Sequence, residues 1–343
     1  MSAREPQSAL KRLRYRGESL IVRLLAAVIA AVPRSLAHFM ADFFGGLAAY
    51  VYRPGRHVAL TNLETALPER SSSERRSLVR QSYQHFARAQ ADLFWSPRLT
   101  PENVREIVDV SDVDRLKRER GDSGFIFCGP HYVGFEWIPV VLGFCGVECT
   151  VVTQAFKNSL LDETFNRLRE VSGHQTIRRE GALLRLFKAL QNRRSVMLAT
   201  DLTIPAQLPS VPVRSFGMLT AMTFAHAFLH KRTGAPIIPT YCETLPGGRY
   251  RIVMRPPLEF SPNATHQEIA QACWDLFEPV IRQNPAPWLW MYKHWRYRPA
   301  GATERYPNYA NESYHFEKLL ARTARENARA AASPHVRPAH AIG

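Results

Sequence analysis

Apolar and polar residues follow two rhythms along this chain. Up to about residue 101 the rhythm is helical. From residue 124 onward, short apolar runs alternate with helical ones. Residues 56–67 form an amphipathic stretch that stops at Pro68. The serines Ser71, Ser72 and Ser73 then offer N-caps for a long helix through Phe94, with apolar positions recurring every three or four residues. Beyond 124, the spacing predicts strands at 125–128, 149–153, 196–200, 237–242 and 250–254. It predicts helices at 134–144, 158–172, 181–192, 218–233 and 265–283, with a loop over 210–220. Strand and helix taking turns imply an α/β fold: a mixed, mostly parallel sheet flanked by helices.

The N-terminus has a different character. Residues 1–19 carry Arg4, Lys11, Arg12, Arg14 and Arg16 against Glu5 and Glu18. The apolar run 20–32 follows, is broken by Pro33-Arg34, and resumes over 35–52. A bilayer span needs about 20 largely uninterrupted apolar residues, and neither run meets that comfortably. A signal peptide shares the basic-then-apolar pattern, but the cysteine usage described below argues against export. The reading adopted is a membrane-associating segment over 1–55, its helices seated in the membrane interface by apolar faces and by basic contacts with anionic lipid; a single span is the alternative. The main domain then covers 56–300 (helical over 56–105, α/β over 120–300). Residues 301–343 read as a partly disordered tail, with a fraying Ala/Arg-rich helix at its end.

Composition narrows the partners. In 343 residues, 45 Lys and Arg outnumber 30 Asp and Glu, for a net charge of +15, which favours anionic partners. Nucleic acid is the usual suspect, yet no zinc-ligand set, RNP-like aromatic motif or helix-turn-helix stands out, and the basic residues are spread through the chain. No nucleic acid partner is expected. Cys128, Cys145, Cys149, Cys242 and Cys273 form no C-x-x-C pair and suggest buried thiols in a reducing compartment. Cys145 and Cys149 have no second pair to complete a metal site, so neither metal nor cofactor is implied.

The chemistry concentrates where the first predicted strand ends. Gly129-Pro130 turns the chain, His131 follows at once, and Glu136 comes five positions later. An imidazole there suits general-base work on a hydroxyl, with Glu136 expected to hold the ring's other nitrogen. The spacing alone is common by chance. Asp201 stands at the carboxyl end of another strand, where α/β sites gather polar groups, or simply caps its own turn through Thr203. Lys157, Arg178 and Arg214 are weaker candidates for phosphate or acyl-donor contacts, and Gly217 allows close backbone approach. The aromatic and cationic mixture at 284–297 suits a membrane interface or, equally, the edge of a core. No Gly-x-Ser-x-Gly turn is present, which counts against a serine esterase.

Taken in order, several pieces resemble one family. They are Arg56-x5-Asn62-Leu63 with Ala66-Leu-Pro68, Pro130-His131-x4-Glu136, Ala199-Thr-Asp201, Val211-Pro-Val-Arg-Ser-Phe-Gly217, Thr233-Gly-Ala-Pro-Ile-Ile-Pro239 and Asn284-Pro-x2-Trp-x-Trp290. Over residues 15–298 the chain resembles the bacterial lipid A biosynthesis acyltransferases of the late lauroyl/myristoyl type, a branch of the glycerolipid acyltransferases. The resemblance implies a glycerolipid acyltransferase-like fold at the cytoplasmic face of the inner membrane. It implies His131 as general base, oriented by Glu136, and transfer from acyl carrier protein or acyl-CoA to a hydroxyl of an anionic lipid such as a lipid A precursor. Two departures stand out. Asp201-Leu-Thr203 replaces an Asp-x-Asp turn, and Trp290-Met-Tyr292-Lys-His294 replaces Trp-x-His-Arg-Arg. Both leave room for another acceptor, such as a lysophospholipid, an amino-acid lipid or a phosphoglycolipid. The competing class is a non-catalytic basic protein that binds membrane or nucleic acid.

Overall fold

The computed structural model describes residues 9–121 and 124–332. Arg4 and Glu5 of the basic stretch, and the last part of the tail, lie outside them. Four helices come first: α1 (Ala9–Ala31), α2 (Arg34–Val51), α3 (Arg53–Ala66) and α4 (Ser72–Trp95). Pro33, with no N–H to give, separates α1 from α2. Helix α4 starts in a capping box, in which Ser71 and Glu74 satisfy each other's backbone N–H. Helix α2 turns its small residues inward, with Ala37, Ala41, Gly45 and Ala49 facing α4. At Gly45 a Cβ would lie 2.8 Å from the Tyr83 carbonyl oxygen, so the two backbones meet too closely for any side chain. The bulky apolar residues of α2 therefore point outward, among them Phe39, Phe43, Leu47 and Tyr50. No helix among the described residues is long and apolar enough to cross a membrane.

A short helix α5 (Val104–Ile107), strand β1 (Val108–Asp109) and helix α6 (Ser111–Arg120) lead into the alternating region. There β2 (Ile126–Gly129), α7 (Trp137–Phe144), β3 (Cys149–Thr153), α8 (Ser159–Arg169), β4 (Gln175–Arg178), α9 (Ala182–Gln191) and β5 (Ser195–Ala199) follow in turn. A hairpin of β6 (Ser210–Ser215) and β7 (Met218–Thr223) comes next, then α10 (Ala225–Thr233), β8 (Ile237–Thr244), β9 (Tyr250–Met254) and α11 (His266–Gln283). The main sheet has seven strands in the order β1-β9-β8-β2-β5-β3-β4. Only the β8–β9 pair is antiparallel. Helices α4, α7 and α8 contact one another, and α9, α10 and α11 form a second contacting group. β2 and β5 run side by side in the middle with continuous apolar faces, as parallel strands covered on both sides do.

One region differs from the sequence reading, and two others gain detail. Residues 210–223, read as a loop and the start of a helix, form the β6–β7 hairpin, and α10 begins only at Ala225. The tail, after a short pairing of β10 (Tyr297–Arg298) with β11 (Asn311–Glu312), contains α12 (Tyr314–Ala332). That helix packs Phe316 and Leu319 into a small core, and Arg322 donates to the Ser210 carbonyl oxygen at 2.7 Å. The aromatics of 284–297 divide between the two readings in favour of the core, since Trp288, Trp290 and Trp295 are fully buried.

Candidate active site

β2 and β5 are parallel neighbours in register, Gly129 opposite Ala199. His131 and Asp201 each lie two residues beyond that matched pair, so the two chain ends deliver them to the same place. Gly129 is needed at the crossing because a Cβ there would sit 2.1 Å from the Thr240 carbonyl oxygen. The Asp201 carboxylate then holds His131 twice. Oδ2 accepts from the His131 backbone N–H and Oδ1 lies on the ring Nδ1, both at 2.8 Å. Trp288 Nε1 also donates to Oδ2, at 2.9 Å. An ionised carboxylate can only accept, so Nδ1 carries the proton and Nε2 is left with its lone pair.

The loop that brings Trp288 is itself pinned. Asn62 Nδ2 donates to the carbonyl oxygens of Trp290 and Tyr292 at 2.7 and 2.8 Å, and Ser82 donates to that of Trp288 at 2.6 Å. His294 stacks on Trp288 with ring centroids 3.9 Å apart. Asp201 is fully buried, and burial alone would raise its pKa. The charge and hydrogen bonds of His131 more than offset this and hold it at about 2. For His131 burial pulls the other way, but the Asp201 charge and hydrogen bond, with a further contribution from the Glu136 charge, leave its pKa above the ordinary imidazole value.

His131 opens on a cleft of about 340 Å³, a size that suits a small ligand or chain segment. Apolar walls come from Phe135, Ile138, Pro139, Val151, Met197 and Leu198. Glu136 lines the same cleft but does not hold the imidazole. Its carboxylate is gripped by Arg169 of α8 through two bonds of 2.8 and 2.6 Å. The expected His131–Glu136 hydrogen bond is therefore corrected to His131–Asp201. Glu136 stands immediately before α7 in helical conformation, and from there it pairs with α8.

The remaining sequence candidates are not brought to this cleft. Lys157 is exposed in the turn before α8. Arg178 is exposed at the end of β4 and lies 3.5 Å from Asp162. Arg214 and Gly217 sit together on the hairpin in a separate groove with Gln271, Glu278 and Arg282, where Arg214 pairs with Glu304 at 3.1 Å. Sequence reasoning passed over Arg169, Trp288 as a partner of Asp201, and His174. The signal for the dyad was nonetheless present, because His131 and Asp201 stand just past the ends of two predicted strands.

A mostly parallel α/β sheet bearing a carboxylate-held histidine beside a cleft with apolar walls defines a class, and comparison with known proteins supplies the family. Residues 4–297 match the bacterial lipid A biosynthesis acyltransferases, and the chain belongs to that family; it is an acyltransferase. It is 23% identical over 277 residues to the lipid A biosynthesis palmitoleoyltransferase of Escherichia coli, covering 80% of this chain and 90% of that one. The lipid A biosynthesis lauroyltransferase of the same organism is 26% identical, over 81% of this chain and 91% of that one. The phosphatidylinositol mannoside acyltransferase of Mycolicibacterium smegmatis is also 26% identical, over 78% and 88% respectively.

Proposed function

We propose that this protein moves a fatty acyl chain from acyl carrier protein, or acyl-CoA, to a hydroxyl of a lipid A precursor or related glycolipid, with His131 as general base. The observation that carries this is the bidentate grip of Asp201 on His131, which engages Nδ1 and the backbone N–H of a residue lining a cleft with apolar walls. In the proposed step, Nε2 takes the acceptor's hydroxyl proton as the oxygen bonds to the thioester carbon. The oxyanion collapses, the C–S bond breaks, and the departing thiolate takes the proton back from the imidazolium. Asp201 holds the tautomer and balances the imidazolium charge; Glu136 acts only through its charge. The acceptor is framed as a glycolipid because the relatives' names point to lipid A and to a mannoside at the same 26% identity.

The reading includes a seat at the cytoplasmic face of the inner membrane. Leu13, Leu20, Leu24 and Val28 on α1 and Phe39, Phe43, Leu47 and Tyr50 on α2 are all exposed. Their spacing of three, four or seven residues gives each helix one apolar outer face, with Arg12, Arg14, Arg16 and Arg23 exposed on α1. A bilayer surface carrying anionic lipid fits both features.

The test is acyl transfer by the purified protein, from labelled acyl carrier protein to a lipid A precursor or to a glycolipid extract. His131→Ala is expected to lower the rate by roughly three orders of magnitude with the fold intact. Transfer by that variant at close to the normal rate overturns the assignment.

A further inference from the structure

A second groove lies away from the reacting centre. It holds about 360 Å³, close to the volume of the cleft at His131, and shares no lining residue with it. Helix α1 forms one side, the end of α4 another and α8 the third. Ala26, Ala30, Phe94 and Leu168 give it apolar walls, and Arg23 and Arg167 are both exposed along it. The remaining polar residue of the lining, Thr164, is buried, and no acidic residue lines the groove. Neither guanidinium is firmly paired. Glu163 comes no closer than 4.0 Å to Arg23, and Arg167 has no carboxylate partner among the described residues. The groove also borders the outer face of α1. Ala27, exposed in its lining, follows Leu20 by about two turns, so the groove wall and the exposed row Leu13, Leu20 and Leu24 lie side by side.

Resting on the membrane seat proposed above, we propose that this groove binds one anionic phospholipid of the bilayer. Arg23 and Arg167 donate to the phosphate oxygens, and an acyl chain lies along Ala26, Ala27, Ala30 and Phe94. The occupant follows from charge complementarity and from the walls together. An apolar ligand leaves both cations unmatched, and a free phosphate leaves the apolar walls in water; an amphiphile with an anionic head uses both. Because the groove borders the face of α1 that is turned to the membrane, the lipid reaches it from the bilayer. Once bound it bridges α1 to α8 and leaves the cleft at His131 free for donor and acceptor.

The experiment measures binding of short-chain phosphatidylglycerol, monomeric in solution, to the purified full-length chain by calorimetry. Phosphatidylcholine of the same chain length and inorganic phosphate are the comparisons. Phosphatidylglycerol is expected to bind at least about fivefold more tightly than either, and Arg167→Ala should weaken it about fivefold, the worth of one cation at a lipid phosphate. Arg76→Ala, about five turns away on α4, should leave it unchanged. Ala27→Trp fills the groove without altering charge and should abolish binding of the monomer; on a bare interfacial face the same ring would strengthen attachment. Equal affinity for the two lipids, inorganic phosphate binding as tightly, an Arg76→Ala loss equal to that of Arg167→Ala, or undiminished binding by Ala27→Trp each overturns the proposal. Attachment to vesicles of phosphatidylcholine and phosphatidylglycerol in equal parts is measured alongside. Vesicle binding that persists beside any of those results leaves the membrane seat standing, whereas failure to bind the vesicles removes the seat and the proposal with it.

Discussion

Asp92 and Asp201 are both buried aspartates, each hydrogen-bonded to a histidine and a ring donor, yet their surroundings differ. Asp92, on α4, takes Arg34 Nε at 2.8 Å, His38 Nε2 at 2.8 Å and the Tyr250 hydroxyl at 2.6 Å. The guanidinium of Arg34 also lies over the rings of Trp137 and Tyr250, at 4.7 and 5.0 Å. That carboxylate is matched by a guanidinium, and it ties α2 to the sheet. Asp201 has no arginine partner among the described residues. Its countercharge is the His131 imidazole, whose pKa is raised above the ordinary value and which lines the cleft. A fixed cation suits a brace, and a titratable one beside a cavity suits the proposed reacting centre.

Removing the two carboxylates should separate these roles. Asp201→Asn keeps the shape but no longer enforces the tautomer or balances the imidazolium. Its kcat should fall by about a thousandfold or more with little change in folding. Asp92→Ala leaves Arg34 buried beside a hole and should cost about 3–5 kcal/mol of stability in chemical unfolding. Activity per folded molecule should stay within a few-fold of normal. A reversal, with Asp92→Ala inactive when folded and Asp201→Asn active, would break the comparison.

pH should distinguish the two pairs next. The pKa of His131 is raised, so in its proposed role as general base it is available only above that pKa, and kcat/KM should climb with pH through an inflection above about 6.5. Asp201→Asn should move that inflection to lower pH. The stability signs follow from the same shifts. The contribution of the raised His131 is complete below about 6.5 and is lost as pH rises through its folded value. Asp92 and Asp201 are both lowered, so their contributions are present above about 3.8 and are lost as pH falls, for Asp201 toward about 2.

The sequence made the parts of this site readable but not their pairing. Both strands, both turns and both residues, His131 and Asp201, follow from apolar runs that end in polar groups. Which strands lie side by side is a property of the whole sheet, and the partners are 70 residues apart. Glu136, five residues from the histidine, was the nearer choice, but its carboxylate is committed to Arg169. The hairpin was hidden for a local reason. Pro212 argues against a strand, and the apolar run from 218 onward continues into α10 without a break. Its turn places Phe216 and Gly217 at φ of 49° and 82°. Phe216 accepts that conformation because its N–H donates to Glu278 at 2.7 Å and its ring lies among Trp274, Trp288, Trp290 and Trp295.

The smallest expected effect is the sharpest on this point. Glu136→Gln preserves size and still accepts one hydrogen bond from Arg169, so it removes the charge and little else. Were Glu136 the group that orients His131, its loss would resemble that of Asp201, about a thousandfold in kcat. In the arrangement seen here it is a neighbour that only adds negative charge. The variant should therefore lose less than about tenfold in kcat/KM, with the pH inflection shifted slightly downward and a stability cost of about 1–2 kcal/mol for the weakened pair. Double substitution with Asp201→Asn should then add to the single effects within a few tenths of a kcal/mol, since the two carboxylates share no hydrogen bond. A large coupling energy in that cycle would mean that both acids act on the ring, and the division between brace and reacting centre would have to include a third term.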